Sequence, residues 1–389
     1  MTPSVRPLSD ADSDQVWALG RLAFGGDPAR RPPGGTPVEE GLGSFDEAGR
    51  LVGKARLRAY EQWWGGRSVP MGGLAGVAVH PDARGKGVST ALLRAALGHM
   101  QNQGQVLSVL FPTALEVYRP LGWELVGSLD ETPLPTAGLR AARAFGSVTA
   151  REATASDVSA IHSLYTWHGR TTAGLLSRTG PEFPAGAEGI LSYDVVAVAE
   201  DDRGALVGYA AYDRGRGYGP DSKLWVGDFV ARDPAGAGAL LRSIGSWDSV
   251  APITRWRGAT DDLAWLLPRG VPLPDRRQPW MLRIVDAERA LSARGYPLGV
   301  TVRVAFTLLD PVLPRNHGSW SFALSEGKAC LESIRSRDKL PVLDVKGLAL
   351  LYAGAADTTA LRRVGYLDGD LGGLDPAFPS VRPRILDYF

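Results

Sequence analysis

Three stretches near the start of the chain return, in the same order, about 150 residues later. Residues 6–12, RPLSDAD, come back as 151–157, REATASD. Residues 45–57, FDEAGRLVGKARL, come back as 200–212, EDDRGALVGYAAY, with Gly49 on Gly204 and Gly53 on Gly208. Residues 77–94, VAVHPDARGKGVSTALLR, come back as the shorter 228–242, DFVARDPAGAGALLR, with Leu92-Leu93-Arg94 on Leu240-Leu241-Arg242. A period this long belongs to tandem domains, because solenoid repeats run to roughly 20–50 residues. The chain is therefore expected to build one fold twice.

The first copy shows what that fold is for. Leu74, Gly76, Val77 and Val79 alternate as a buried strand that ends at His80-Pro81, since a proline bars the residue before it from helix. Arg84-Gly85-Lys86-Gly87 follows, and then an amphipathic helix with Leu92, Leu93, Ala96 and Leu97 on one face. Strand, basic glycine loop and helix N-terminus together suit a phosphate: glycines admit close approach, free N–H groups point outward, and the helix dipole favours an anion. The loop is not a Walker loop, having no Gly-Lys-Ser/Thr, and it lacks the G-x-G-x-x-G of dinucleotide sites. Its pattern, V-x-V-x-P-x-x-R-G-x-G-x-x-x-x-L-L, resembles motif A of the GCN5-related N-acetyltransferases. Tyr118-Arg119-Pro120-Leu121-Gly122-Trp123, some twenty-five residues on, resembles that superfamily's Y-x-x-x-G-aromatic element.

The resemblance implies acetyl-CoA as co-substrate. Val77, Ala78 and Val79 would hold the pantetheine and the developing oxyanion through backbone N–H groups. Arg84, Gly85, Lys86, Gly87, Val88 and Ser89 would meet the pyrophosphate, and Thr113 would complete the cofactor site. The second copy has lost the Arg-Gly-Lys-Gly loop, and Ala235-Gly236-Ala237-Gly238 offers backbone without a cation. It is expected to be a structural domain that no longer binds the cofactor.

Acetyl transfer needs a neutral amine, a stabilised thioester oxygen and a proton for the departing thiolate. Tyr118 is the expected general acid, because a phenol near pKa ~10 can protonate a thiolate whose thiol sits near ~8.5. For the general base, the first copy offers no histidine besides His80 and His99. From Met281 the composition changes, and LDPVLPRNHGSW and LALLYAGAADTTALRRVG resemble a sterol-carrier-type domain. Over its whole length the chain resembles the enhanced intracellular survival family of acetyltransferases. That resemblance implies a hexamer, acetylation of aminoglycosides or sometimes lysines, and a base that is the C-terminal carboxylate, here on Phe389 of the terminal ILDYF. A water relay or an acidic residue of the 24–43 loop is the other source for the base. Acceptor selection falls to the loops around 24–43 and 60–66, where Phe24, Asp27, Glu39, Glu40, Trp63 and Trp64 suit a cationic amine.

The expected fold is mixed α+β and α/β. Residues 1–145 form the catalytic acetyltransferase domain, 146–282 its degenerate copy and 283–389 the sterol-carrier-like domain, whose tail returns to the active site. With 44% hydrophobic and 22% charged residues the chain has an ordinary globular composition. A net charge of +1 gives no ground for a nucleic-acid or anionic-membrane partner. Cys330 stands alone, which excludes an internal disulfide, and the five histidines show no metal spacing, so no metal is expected. The beginning MTPSVRPLSDADSD lacks the apolar core of a signal peptide, and a cytoplasmic protein is expected. The leading expectation is an N-acetyltransferase for small-molecule cationic acceptors, aminoglycoside-like or polyamine-like amines, acting as a homo-oligomer. Protein lysines or arylalkylamines are the alternative acceptors, and a lipid-binding scaffold with a vestigial acetyltransferase fold is the alternative from another class.

Overall fold

The computed structural model describes residues 4–25, 27 and 41–389, so Glu39 and Glu40 lie outside the described residues. The first copy runs β1 (Ser4–Pro7), α1 (Ser13–Phe24), β2 (Gly41–Phe45), β3 (Leu51–Trp64), β4 (Arg67–Val79), α2 (Val88–Asn102), β5 (Leu107–Leu110), α3 (Leu115–Tyr118), β6 (Glu124–Pro135) and α4 (Thr136–Leu139). The second runs β7 (Thr149–Glu152), α5 (Val158–Thr171), β8 (Val195–Glu200), β9 (Leu206–Asp213), β10 (Lys223–Ala231), α6 (Pro234–Gly245), β11 (Ile253–Arg257), α7 (Asp261–Leu266) and β12 (Arg276–Ile284). The remainder is α8 (Ala287–Ala293), β13 (Val302–Leu309), β14 (Gly318–Ser325), β15 (Lys328–Ser333), β16 (Val342–Asp344), α9 (Val345–Ala353), α10 (Thr358–Arg363) and β17 (Leu367–Asp368).

The repeat is visible down to single hydrogen bonds. Arg6 grips Asp12 through two bonds of 2.8 and 2.9 Å, and Asp12 accepts the Ser9 N–H at 2.8 Å. Arg151 grips Asp157 at 2.8 and 3.0 Å, and Asp157 accepts the Thr154 N–H at 2.8 Å. In the hairpins, Asp46 accepts the N–H groups of Ala48 and Arg50, as Asp201 accepts those of Arg203 and Ala205. Gly53 and Gly208 are glycine for one reason: a Cβ on Gly53 would lie 2.7 Å from the Val88 side chain, and one on Gly208 would lie 2.7 Å from the Val230 carbonyl and 3.1 Å from Leu240. Each lets a helix seat closely on its hairpin. On α2, Leu92, Leu93, Ala96 and Leu97 are all fully buried, as the periodicity predicts.

Hydrogen bonds from Arg6 and Arg151, working against burial, hold the Asp12 and Asp157 carboxyls well below the usual carboxylate range. A depressed pKa contributes stability that is complete above the unfolded value near ~4 and is lost as pH falls below it. Asp12→Asn is therefore expected to lower the unfolding free energy measured in urea at pH 7 by about 1 kcal/mol for the lost cap, and to cost less at pH 2.5. An equal penalty at both pH values would contradict the pairing.

The two copies do not form separate sheets. Among the described residues, the strand order is β1-β2-β3-β4-β5-β12-β6-β11-β10-β9-β8-β7 in one twelve-stranded sheet. The last strands are exchanged: β12 pairs with β5 of the first copy, and β6 pairs with β11 of the second. The exchanged strands also pair with each other, antiparallel, from Arg276↔Glu131 to Leu282↔Glu124. The sheet thus does not divide at the boundary expected after residue 145, and residues 276–284 belong at its centre.

The third unit is a five-stranded sheet, β15-β14-β13-β16-β17, over which α9 buries Leu348, Ala349, Leu351 and Tyr352. A fully buried ion pair joins it to the large sheet. Arg283 on β12 bonds both Asp310 oxygens at 2.7 Å and the Leu121 carbonyl at 2.9 Å. Gly122 must be glycine there, with φ +92° and a Cβ position 2.7 Å from the Arg283 Nε. No helix among the described residues is long and apolar enough to cross a membrane.

Candidate active site

β4 and β5 run parallel and pair only from Met71↔Leu107 to Gly73↔Val109. Beyond that point β4 continues to Val79 while β5 stops at Leu110, so the strands part and open a slot. On its other edge β4 stays bonded to β3, with a bulge at Gly76–Val77, where Gly76 has φ +56°. Backbone groups around Val77 and Val79 are thereby left for a guest in the slot. The side chain of Ala78 is buried, so it offers backbone alone.

At the end of the slot, Arg84-Gly85-Lys86-Gly87 turns the chain into α2, with Gly85 at φ +72° and Gly87 at +77°. No side chain caps the helix start, so the N–H groups of Val88 and Ser89 point toward the loop. Arg84 and Lys86 are exposed and have no carboxylate partner among the described residues. Uncapped amides, two positive-φ glycines and two unpaired cations fit a diphosphate. The counterpart in the second copy does not. There Asp233 caps α6, accepting the Gly236 N–H at 2.7 Å, and Pro234 removes another donor. A built-in carboxylate occupies the place an anion would take.

Tyr118 ends α3 with its ring packed edge-on to Trp123 at 6.2 Å. Burial pushes its phenol above the ordinary value. Its hydroxyl has no hydrogen-bond partner among the described residues and is not sealed from solvent. It is a protonated group with its proton uncommitted. Thr113 is exposed in the turn between β5 and α3.

The C-terminal tail lies along the large sheet. Arg382 bonds Ser128 and Asp130 on β6, each at 3.0 Å, and the Arg384 N–H bonds the Ala173 carbonyl at 2.8 Å. Ile385 is buried. Arg178 then holds Asp387 with its Nε at 3.1 Å while its other nitrogens clamp the buried Asp228 and its face stacks on Tyr165. The last residue, Phe389, reaches β4 where the slot begins: a Cβ on Gly73 would lie 2.9 Å from its ring. Its ring packs on Tyr60 at 4.9 Å and Phe111 at 5.5 Å, and Tyr388 lies 4.6 Å from Phe111. The terminal carboxylate makes no ion pair with a described residue. Tyr118 packs in the cluster beneath α2, and Phe389 packs against the separate cluster that holds Tyr60, Met71 and Leu107.

The comparisons with known proteins agree with this geometry. Residues 4–126 and 174–284 each match an acetyltransferase (GNAT) domain, and residues 287–386 match a sterol carrier protein domain. A GCN5-related N-acetyltransferase from Kribbella flavida is 30% identical, with 100% of this chain and 99% of that one covered and a TM-score of 0.86. The chain belongs to the GCN5-related N-acetyltransferases. An uncharacterized N-acetyltransferase from Streptomyces avermitilis is 27% identical over 322 residues, 77% of this chain and 76% of its own. Eis1 from Mycobacterium abscessus, 23% identical, has the same fold over the whole of both chains at a TM-score of 0.74. The chain is thus an acetyl-CoA-dependent N-acetyltransferase of Eis-like architecture.

Among the residues expected to select the acceptor, the tryptophans are misplaced. Trp64 is fully buried, edge-on to Tyr352 at 5.2 Å, with its Nε1 bonded to Gln62 at 3.1 Å. Trp63 is half-buried against Gly169 of α5, where even a Cβ would touch its ring. Trp63 secures the acetyltransferase's first copy to its second, exchanging backbone bonds with Gly174 and Leu175, and Trp64 secures it to the third unit, its carbonyl accepting the Gly295 N–H at 3.1 Å. Phe24 is exposed at the end of α1, and Asp27 is exposed beyond it. Sequence reasoning missed Tyr60, Phe111, Arg178, Asp228 and Asp387. Only Asp387, two residues before the end in a tail already singled out, and Tyr60, at the edge of the 60–66 loop, carried a signal.

Proposed function

We propose that this acetyltransferase acts on a primary amine of a small cationic acceptor, of the aminoglycoside or polyamine type, with Tyr118 as general acid and the Phe389 carboxylate as general base. Acetyl-CoA supplies a thioester carbonyl to the slot. Backbone N–H groups near Val77 stabilise the charge that builds on the carbonyl oxygen as the amine attacks. The Phe389 carboxylate takes the proton the nitrogen sheds, directly or through one water. Tyr118 gives its proton to the thiolate as the carbon–sulfur bond breaks, and solvent returns a proton to the phenolate.

The observation that carries the reading is the return of residue 389 to Gly73 with its carboxylate unpaired. An uncompensated carboxylate on a residue whose own ring packs on Tyr60 and Phe111 suits an ammonium, which both charge and ring faces attract. A second reading has its own support: Arg58 pairs Glu182 and Arg178 pairs Asp387, which leaves the mouth mainly aromatic and suits an arylalkylamine. Thiol release from acetyl-CoA, measured with spermidine, a 2-deoxystreptamine aminoglycoside, phenethylamine and a lysine peptide, separates them. The polycations are expected to show kcat/KM at least about tenfold above phenethylamine, or about 1.4 kcal/mol of preference. The reverse order would favour the arylalkylamine, and no stimulation by any amine would remove both readings.

A further inference from the structure

The second copy keeps the slot whose loop it has lost. β10 and β11 pair in parallel only from Lys223↔Ile253 to Val226↔Trp256, after which β10 continues to Ala231 and the strands part. The wedge between them is a cavity of about 800 Å³, within the range of small-molecule sites. Aromatic rings form part of its walls, Phe229 and Trp256 standing 4.9 Å apart with Trp167 near the end of α5. Three carboxylates also line it, of which Asp233 caps α6 and Asp261 pairs with Arg384 while Asp262 stands beside them. One cation faces it without a carboxylate partner among the described residues. Arg232 sits 5.6 Å from the Trp167 ring and makes no ion pair, whereas Arg384 is engaged by Asp261 at 3.5 Å and Arg382 by Asp130 at 3.0 Å.

We propose that this wedge is a second ligand site, which takes an apolar carboxylate, a medium-chain fatty acid or a flat aromatic acid, with its tail or ring among Trp167, Phe229 and Trp256 and its carboxylate on Arg232. Two features exclude the larger ligand of the first copy. Asp233 already fills the helix N-terminus that a diphosphate would need, and no unpaired lysine or arginine stands in the loop after β10 besides Arg232. A planar carboxylate matches a single guanidinium fork, and the apolar body covers rings that water would otherwise meet. The far wall is Arg382, Arg384 and Leu386 of the tail, so a ligand here touches the segment that ends in Phe389.

Calorimetric titration of the full chain with decanoate and with 2-naphthoate tests the site, and decylamine serves as the charge-reversed control. The readout is binding alone, so it stands or falls separately from the proposed roles of Tyr118 and Phe389. Saturable binding of at least one acid, one per chain, is expected, with affinity at least tenfold weaker in Arg232→Ala and lost in Ala259→Trp, which fills the wedge from its rim. Arg232 is exposed, so its replacement leaves the fold intact. No saturable binding of either acid, equal binding of decylamine, or undiminished affinity in Arg232→Ala would overturn the proposal.

Discussion

Arg178→Met is expected to destabilise the protein by about 3–5 kcal/mol and to depress acetyl transfer in whatever remains folded. The stability loss comes from Asp228, whose side chain is fully buried and whose charge Arg178 compensates. Removing one partner of a buried pair leaves an uncompensated charge in a poor solvent, and that is costlier than losing the pair whole. The activity loss comes from Asp387, which Arg178 holds two residues before the C-terminus. The two effects separate in a double variant. Asp228→Asn together with Arg178→Met removes the stranded charge, so urea unfolding is expected to recover most of the stability. Turnover is expected to stay low, because Asp387 still has no partner. Recovery of both together would mean that Arg178 acts through stability alone.

Arg178 also holds a backbone conformation uncommon outside glycine, with φ +56°. Such a position persists where its surroundings over-determine it, and here the stack on Tyr165 and the two carboxylates do so.

Tyr118→Phe is expected to lower kcat by about a hundredfold or more, the usual scale of a general acid, with little change in stability. Phenylalanine keeps the packing against Trp123, and the lost hydroxyl bonds no described residue, so no buried group is left unpaired. The direction of the phenol's shift also fixes a pH dependence. Because burial raises its pKa above the ordinary value of 10.0, the acid stays protonated at neutral pH, and its deprotonation limits the rate only above pH 10. An unchanged kcat in the variant would assign the proton to solvent.

Much of this was legible in the residues because it is local. Arg84-Gly85-Lys86-Gly87 needs only its own glycines to form a turn, and Gly49 and Gly204 mark the same hairpin twice. The exchange of β6 and β12 was not legible, since it depends on pairing between strands some 150 residues apart. Trp63-Trp64 invited a surface reading because a tryptophan pair beside Gly65-Gly66 resembles a binding loop, yet β3 continues through both and buries Trp64 against a helix nearly three hundred residues away. Arg178 stood among ordinary loop residues, and only the fold brings Asp228 and Asp387 to it.

The central claim is that the chain ends inside its own active site and that its last carboxylate takes part in the reaction. The direct measurement is thiol release from acetyl-CoA with the best acceptor amine, comparing the full chain with one lacking Phe389, alongside calorimetric titration of each with acetyl-CoA. The account predicts that removal of Phe389 abolishes turnover while acetyl-CoA affinity stays within about twofold, since the loop proposed to hold the cofactor, Arg84-Gly85-Lys86-Gly87, lies at the other end of the slot. Unchanged turnover in the shortened chain would contradict it and would assign the base to a water relay or to an acidic residue of the 24–43 loop.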